Sequence, residues 1–252
     1  MNFEATKDLL YRIADDDLVI GHRNSEWTGL GPILEEDIAF SSMAQDEVGH
    51  AQAYYMLMHE WMNEPAPDTV AFNRSPEDFR SCRFVEAPIG DYAFSLVRHL
   101  LYDVAESLRL EHLSKGSFRP LAELSKKLLR EERYHLLHAT TWIRQLGNST
   151  EEANRRLQEA FNTAYPMAFG MFEPTEFDDA IAEAGLQPKE AELEAQWIKS
   201  ITELATTSNL QLPEVKNKKA WYGGRTGTHT EHLGAMLKEM TEVFVIDPEA
   251  AW

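Results

Sequence analysis

Two short patterns, Glu47-x-x-His50 within EDIAFSSMAQDEVGHAQ and Glu132-x-x-His135 within REERYH, constrain this chain more than any other feature. Each lies inside a run whose apolar residues recur at helical spacing. Residues three apart on an α-helix sit about 60° apart around the axis and about 4.5 Å along it, so a carboxylate and an imidazole placed this way reach one cation. One such pair is weak evidence, because nine histidines among many glutamates produce about one by accident. Two pairs on separate long helices need a bundle that brings the helices together.

Apolar periodicity supplies that bundle. Leu10, Ile13, Ala14, Leu18 and Ile20 mark one face of a helix over residues 7–25, which breaks at Gly29 and Gly31. Pro32 suits the first position of a second helix, with Glu35, Glu36 and Asp37 at the positive end of its dipole, and the pattern runs to Trp61. Residues 63–88 hold Pro65, Pro67, Pro76 and Pro88 and predict a long connection. A third helix spans residues 92–113, Gly116 and Pro120 mark a turn, and a fourth runs to Leu146 before Gly147 and Asn148.

Hairpins at about residues 7–62 and 91–147, joined by a crossover, make the expected fold all-α: a ferritin-like four-helix bundle. Ser149 and Glu152 form a capping-box pattern for a fifth helix, Thr175 opens a short sixth, a seventh covers residues 189–206, and a last one residues 231–245. Residues 208–227 read as an exposed loop. These additional C-terminal helices, about 149–247, are expected to belong with the hairpins to one domain over residues 1–252.

Burial needs fix the candidate ligands. Glu47 lies 18 residues beyond Gly29 and Asp17 lies 12 before it. In the second hairpin, Glu132 lies 16 beyond Gly116 and Glu106 lies 10 before it, the same offset. Asp17 falls on the apolar face of its helix, where an unpaired carboxylate is costly. The proposed metal ligands are Asp17, Glu47, His50, Glu106, Glu132 and His135, with Asp16 and Asp103 as substitutes for Asp17 and Glu106. Four carboxylates and two imidazoles suit a dinuclear iron or manganese centre and balance two divalent ions. Asp46 and Glu131 read as supporting or surface groups. His22, His59, His99 and His138 read as packing or surface residues, Tyr54, Tyr55 and Trp61 as core, and His229 and His232 as caps or pairs at the last helix.

The balance of Lys+Arg 24 against Asp+Glu 42, a net charge of −18, argues against nucleic acid or anionic lipid as a partner and offers an acidic surface to a basic protein. The lone Cys82 forms no internal disulfide. The opening MNFEATKDLL lacks the pattern of a signal peptide, and no apolar run is long enough to span a membrane, so a cytoplasmic chain is expected. No flavin, nicotinamide or Cys-rich electron-transfer motif is present.

The stretches HRNSEWTGLGPILEEDIAFSSMAQDEVGHAQ, REERYHLLHATTWIRQLGNST and GRTGTHTEHLGAMLKEM closely resemble the C-subunit family of bacterial phenylacetyl-CoA epoxidases, from about Leu10 to Trp252. That resemblance implies a ferritin-like subunit of a multicomponent monooxygenase. Its complex forms the ring 1,2-epoxide of phenylacetyl-CoA in aerobic phenylacetate catabolism, with electrons from a flavin/iron–sulfur reductase. In that family the C subunit looks like the structural partner of a catalytic A subunit that carries the di-iron centre. This sequence departs from the pattern in having an acid or a histidine at each expected ligand position. The resemblance implies pairing with an A subunit, and a homodimer at most for the chain alone. The other readings are an independent di-iron or di-manganese oxidoreductase and a ferroxidase.

Overall fold

The computed structural model describes residues 2–247; Met1 and residues 248–252, the ends of the expected domain, lie outside them. Among the described residues the regular structure is helical throughout. Helix α1 (Phe3–Ser25) starts on Asn2, whose side chain accepts the N–H of Ala5. Helix α2 (Leu34–Met62) ends on Asn63 in the left-handed conformation. Pro32 does not begin α2 as expected. The Asp37 carboxylate accepts the N–H groups of both Gly29 and Gly31, which keeps the preceding backbone in a turn, and Ile33 becomes the extended residue before the helix.

The long connection contains helix α3 (Pro67–Phe72) and a three-ten turn at Pro76–Asp78. Helix α4 (Tyr92–Leu113) is capped by Asp91, and α5 (Arg119–Gly147) takes Pro120 into its first turn. Cross-helix pairs give the directions. Tyr55 meets Asp15 and Thr28 meets Ser41, so α2 opposes α1; Trp27 meets Ser95 and Tyr102 meets Asp17, so α4 opposes α1 as well. Helices α2 and α4 therefore run parallel, and only a crossover spanning the bundle length can join them. This is the ferritin-like arrangement.

Helices α6 (Glu151–Ala168) and α8 (Glu190–Thr207) pack against α4, and the short α7 (Asp178–Glu183) lies against α1. The cap of α6 is Thr150, which accepts the N–H of Ala153; Ser149 donates back to the Leu146 carbonyl and is unavailable for the expected cap. Trp197 on α8 is fully buried among Tyr165, Phe169 and Phe172, and its indole N–H donates to the Leu101 carbonyl of α4. Helix α9 (Glu231–Met240) is shorter than expected and gives way to a turn and a three-ten segment at Phe244–Ile246.

The loop between α8 and α9 is only partly exposed. Arg225 is buried and bonded through both terminal nitrogens to Asp16, because a buried carboxylate on α1 needs a cation. Gly224 beside it admits no side chain, since a Cβ there would lie 2.2 Å from the Ser81 carbonyl oxygen. Tyr54 and Tyr55 are core residues, but Trp61 is more than half exposed and only leans edge-on against Phe118. No helix among the described residues is long and apolar enough to cross a membrane.

Candidate metal centre

Three consecutive buried acids on α1 diverge, as successive helical residues must at about 100° apart. Asp15 accepts from Arg74, Tyr55 and the N–H of Arg80. Asp16 accepts from Arg225 and the N–H of Cys82. Asp17 turns to the bundle centre, where it accepts only the Tyr102 hydroxyl and leaves Oδ2 without a partner. Of Asp16 and Asp17, only Asp17 is free to serve a metal.

At the centre Glu47 stands between the two imidazoles. Its Oε1 lies 3.3 Å from His135 Nδ1 and its Oε2 3.7 Å from His50 Nδ1, while Glu132 Oε2 lies 3.4 Å from His135 Nδ1. Asp17, Glu47 and His50 offer donor atoms within 4.8 Å of one another, as do Glu47, Glu132 and His135. Glu47 is common to both sets. Close packing of α1 on α2 at this level uses Gly21, where a Cβ would come to 3.0 Å from that of Glu47.

The hydrogen-bond inventory supports a cation here. Both oxygens of Glu47 and of Glu132, Nδ1 of His50 and of His135, Oδ2 of Asp17 and Oε1 of Glu106 are buried without a hydrogen-bond partner. Such burial is expensive for any one of these groups. The outward nitrogens are occupied: His50 Nε2 lies 3.0 Å from Glu131, and His135 Nε2 3.2 Å from Asp46. A carboxylate on Nε2 fixes the tautomer that leaves Nδ1 free for a metal. Asp46 and Glu131 thus each hold the imidazole of the opposite helix, and each precedes the buried glutamate of its own helix.

Burial, then the neighbouring Glu106 and Glu47, hold the Asp17 carboxyl well above its ordinary range. Burial and Glu132 do the same to Asp103. Burial raises Glu106 to about 8 against the opposing charge of Arg109. These acids repel one another across a small space, and divalent ions among them would relieve that repulsion.

The structure brings Asp17, Glu47, His50, Glu132 and His135 into close groups and places Glu106 beside them, outside the 4.8 Å sets. Asp103 enters a third set with His135 and with His99. The sequence pattern reads His99 as a packing or surface residue; it is fully buried at the centre, with its ring 5.7 Å from that of His135. His138, by contrast, bonds to Glu36, which also accepts from Tyr92 and Trp142. His229 pairs with Glu86, and Thr230 caps α9.

Carboxylates and imidazoles converging from all four helices of a crossover-linked bundle define a ferritin-like protein with residues able to hold metal. Residues 2–252 match the family described as "Phenylacetic acid catabolic protein", and the chain belongs to that family. It is 31% identical over 241 residues to the C subunit of the 1,2-phenylacetyl-CoA epoxidase of Escherichia coli (strain K12), an alignment covering 96% of each chain.

Proposed function

We propose that this chain is the C-type subunit of a multicomponent phenylacetyl-CoA 1,2-epoxidase in aerobic phenylacetate catabolism, working in the cytoplasm beside a catalytic A subunit. The observation that carries this reading is the end-to-end likeness to a C subunit, 96% of both chains. The acidic surface, at a net charge of −18, suits a basic partner. With no redox cofactor motif of its own, the chain would depend on a reductase acting through the complex.

The buried set also supports a dinuclear iron or manganese centre held by Asp17, Glu47, His50, Glu106, Glu132 and His135. When bound, such a centre supplies oxygen activation. The chain's own residues would hold the ions between α1, α2, α4 and α5, fix the imidazoles through Asp46 and Glu131, and keep bulk water out. Its place in one domain with α6–α9 is part of the same reading.

The test mixes the purified chain with reductase, NADPH, O₂ and phenylacetyl-CoA, with and without the A subunit. Epoxide is expected only when the A subunit is present, and the chain alone should be a homodimer at most. Equal rates in both mixtures would overturn the subunit reading in favour of an independent oxygenase.

A further inference from the structure

We infer that His99 and Asp103 ligate the ion position defined by Glu132 and His135, so that the two metal positions of this bundle are chemically unlike. This rests on the proposal that the chain binds two ions. His99 and Asp103 stand at i and i+4 on α4, on one face, and both are fully buried. With His135 they offer donor atoms within 4.8 Å of one another.

Geometry separates this group from an ordinary buried His–Asp pair. His99 Nδ1 lies 3.1 Å from Asp103 Oδ1, yet neither that nitrogen nor either Asp103 oxygen makes a hydrogen bond. A fully buried carboxylate with no partner is untenable unless something else meets its lone pairs. The other side of the His99 ring is held in place. Its Nε2 sits 2.8 Å from Met43 Sδ, and the ring lies 5.8 Å from Phe40 and 5.7 Å from His135. A proton on Nε2 facing the thioether would leave the Nδ1 lone pair, beside Asp103, for a metal ion.

Glu106 differs, because the charge of Arg109 opposes its own and it lies outside the groups whose donor atoms fall within 4.8 Å of one another. One position then holds Asp17, Glu47 and His50; the other adds His99 and Asp103 to Glu132 and His135. Two imidazoles at one position favour borderline divalent ions such as Fe²⁺ or Co²⁺ over Mn²⁺ there, whereas the position with one imidazole discriminates less. Loading should therefore occur in two distinguishable steps.

The experiment titrates the full chain with Co²⁺, following visible absorption and counting bound ions by equilibrium dialysis. The wild type should bind two ions with two affinities. His99→Gln and Asp103→Asn should each weaken one step by at least the roughly 10–100-fold seen when supporting groups of metal sites are lost, and leave the other step unchanged. Should His99→Gln fail to fold by circular dichroism, the isosteric Asp103→Asn decides. Wild-type affinities at both steps in a folded variant would overturn the inference while leaving the two-ion centre standing. A wild-type chain that takes up no Co²⁺ would overturn both.

Discussion

His50 on α2 and Glu131 on α5 meet across the bundle at 3.0 Å, and one turn along the same interface His135 of α5 meets Asp46 of α2 at 3.2 Å. Each helix thus positions the other's imidazole through the acid that precedes its own buried glutamate. The two side chains that do this, Asp46 and Glu131, are partly open to solvent, while the imidazoles they hold are buried.

Because they act on orientation and contribute little buried area, their loss should affect metal more than fold. Glu131→Gln and Asp46→Asn are each expected to weaken Co²⁺ or Mn²⁺ binding by roughly 10–100-fold. Thermal midpoints of the apo variants should stay near wild type. A titration matching the wild type would show that these contacts do not support the imidazoles.

His50→Ala should abolish binding at the position shared with Asp17 and Glu47 while leaving the helical signal intact. The bundle is held by apolar faces such as Leu9, Ile13, Leu100 and Leu101, and helices gain most of their stability from such packing. Circular dichroism checks the second half of the statement and metal analysis the first. Wholesale unfolding would contradict it.

Trp197 fastens α8 to α4 through a fully buried indole stacked on Tyr165 at 5.3 Å. Trp197→Ala should cost about 3–5 kcal/mol in chemical denaturation, through lost burial and the cavity left behind. A cost below about 1 kcal/mol would mean that the α6–α8 layer contributes little to the fold.

Glu190 sets an acid limit on stability. Burial pushes its carboxyl upward, but Arg109 and Arg12 outweigh burial and hold it at about 2, below the ordinary 4.5. A depressed folded-state value means that this stabilisation is complete above pH 4.5 and is lost as pH falls toward 2. The amount is on the order of 3 kcal/mol. Denaturation midpoints between those pH values should fall less steeply in Glu190→Gln, which starts lower because it leaves two buried guanidiniums poorly paired.

The four bundle helices were legible because Leu10, Ile13, Leu101 and Leu108 keep helical spacing and because proline and glycine cluster between the runs. Matched counting from Gly29 and Gly116 also selected Asp17, which the structure turns inward. Asp16 is withdrawn from the centre by Arg225, 209 residues away in a stretch that reads as loop, so its neighbours in sequence carry no sign of it. His99 is not legible in the sequence for a related reason. His–Asp at i, i+4 is common on solvated helices, and only the absence of hydrogen-bond partners in a buried setting distinguishes this one. At the helix ends, local chemistry overrode the pattern, as where Asp37 holds Gly29 and Gly31, or where Thr150 rather than Ser149 caps α6.

The bond between Asp16 and Arg225 bears on the order in which the molecule can be completed. Helix α1 leaves the ribosome ahead of the other helices, carrying its three adjacent acids, and the guanidinium that neutralises the middle one follows more than two hundred residues later. Until then Asp16 has no counter-charge beside the Asp17 carboxylate, and α1 pays for burying both. The α8–α9 loop therefore completes the pairing of a helix at the far end of the chain. A chain cut before Arg225 is expected to leave α1 more open to proteolysis than it is in the full chain, as limited digestion would show.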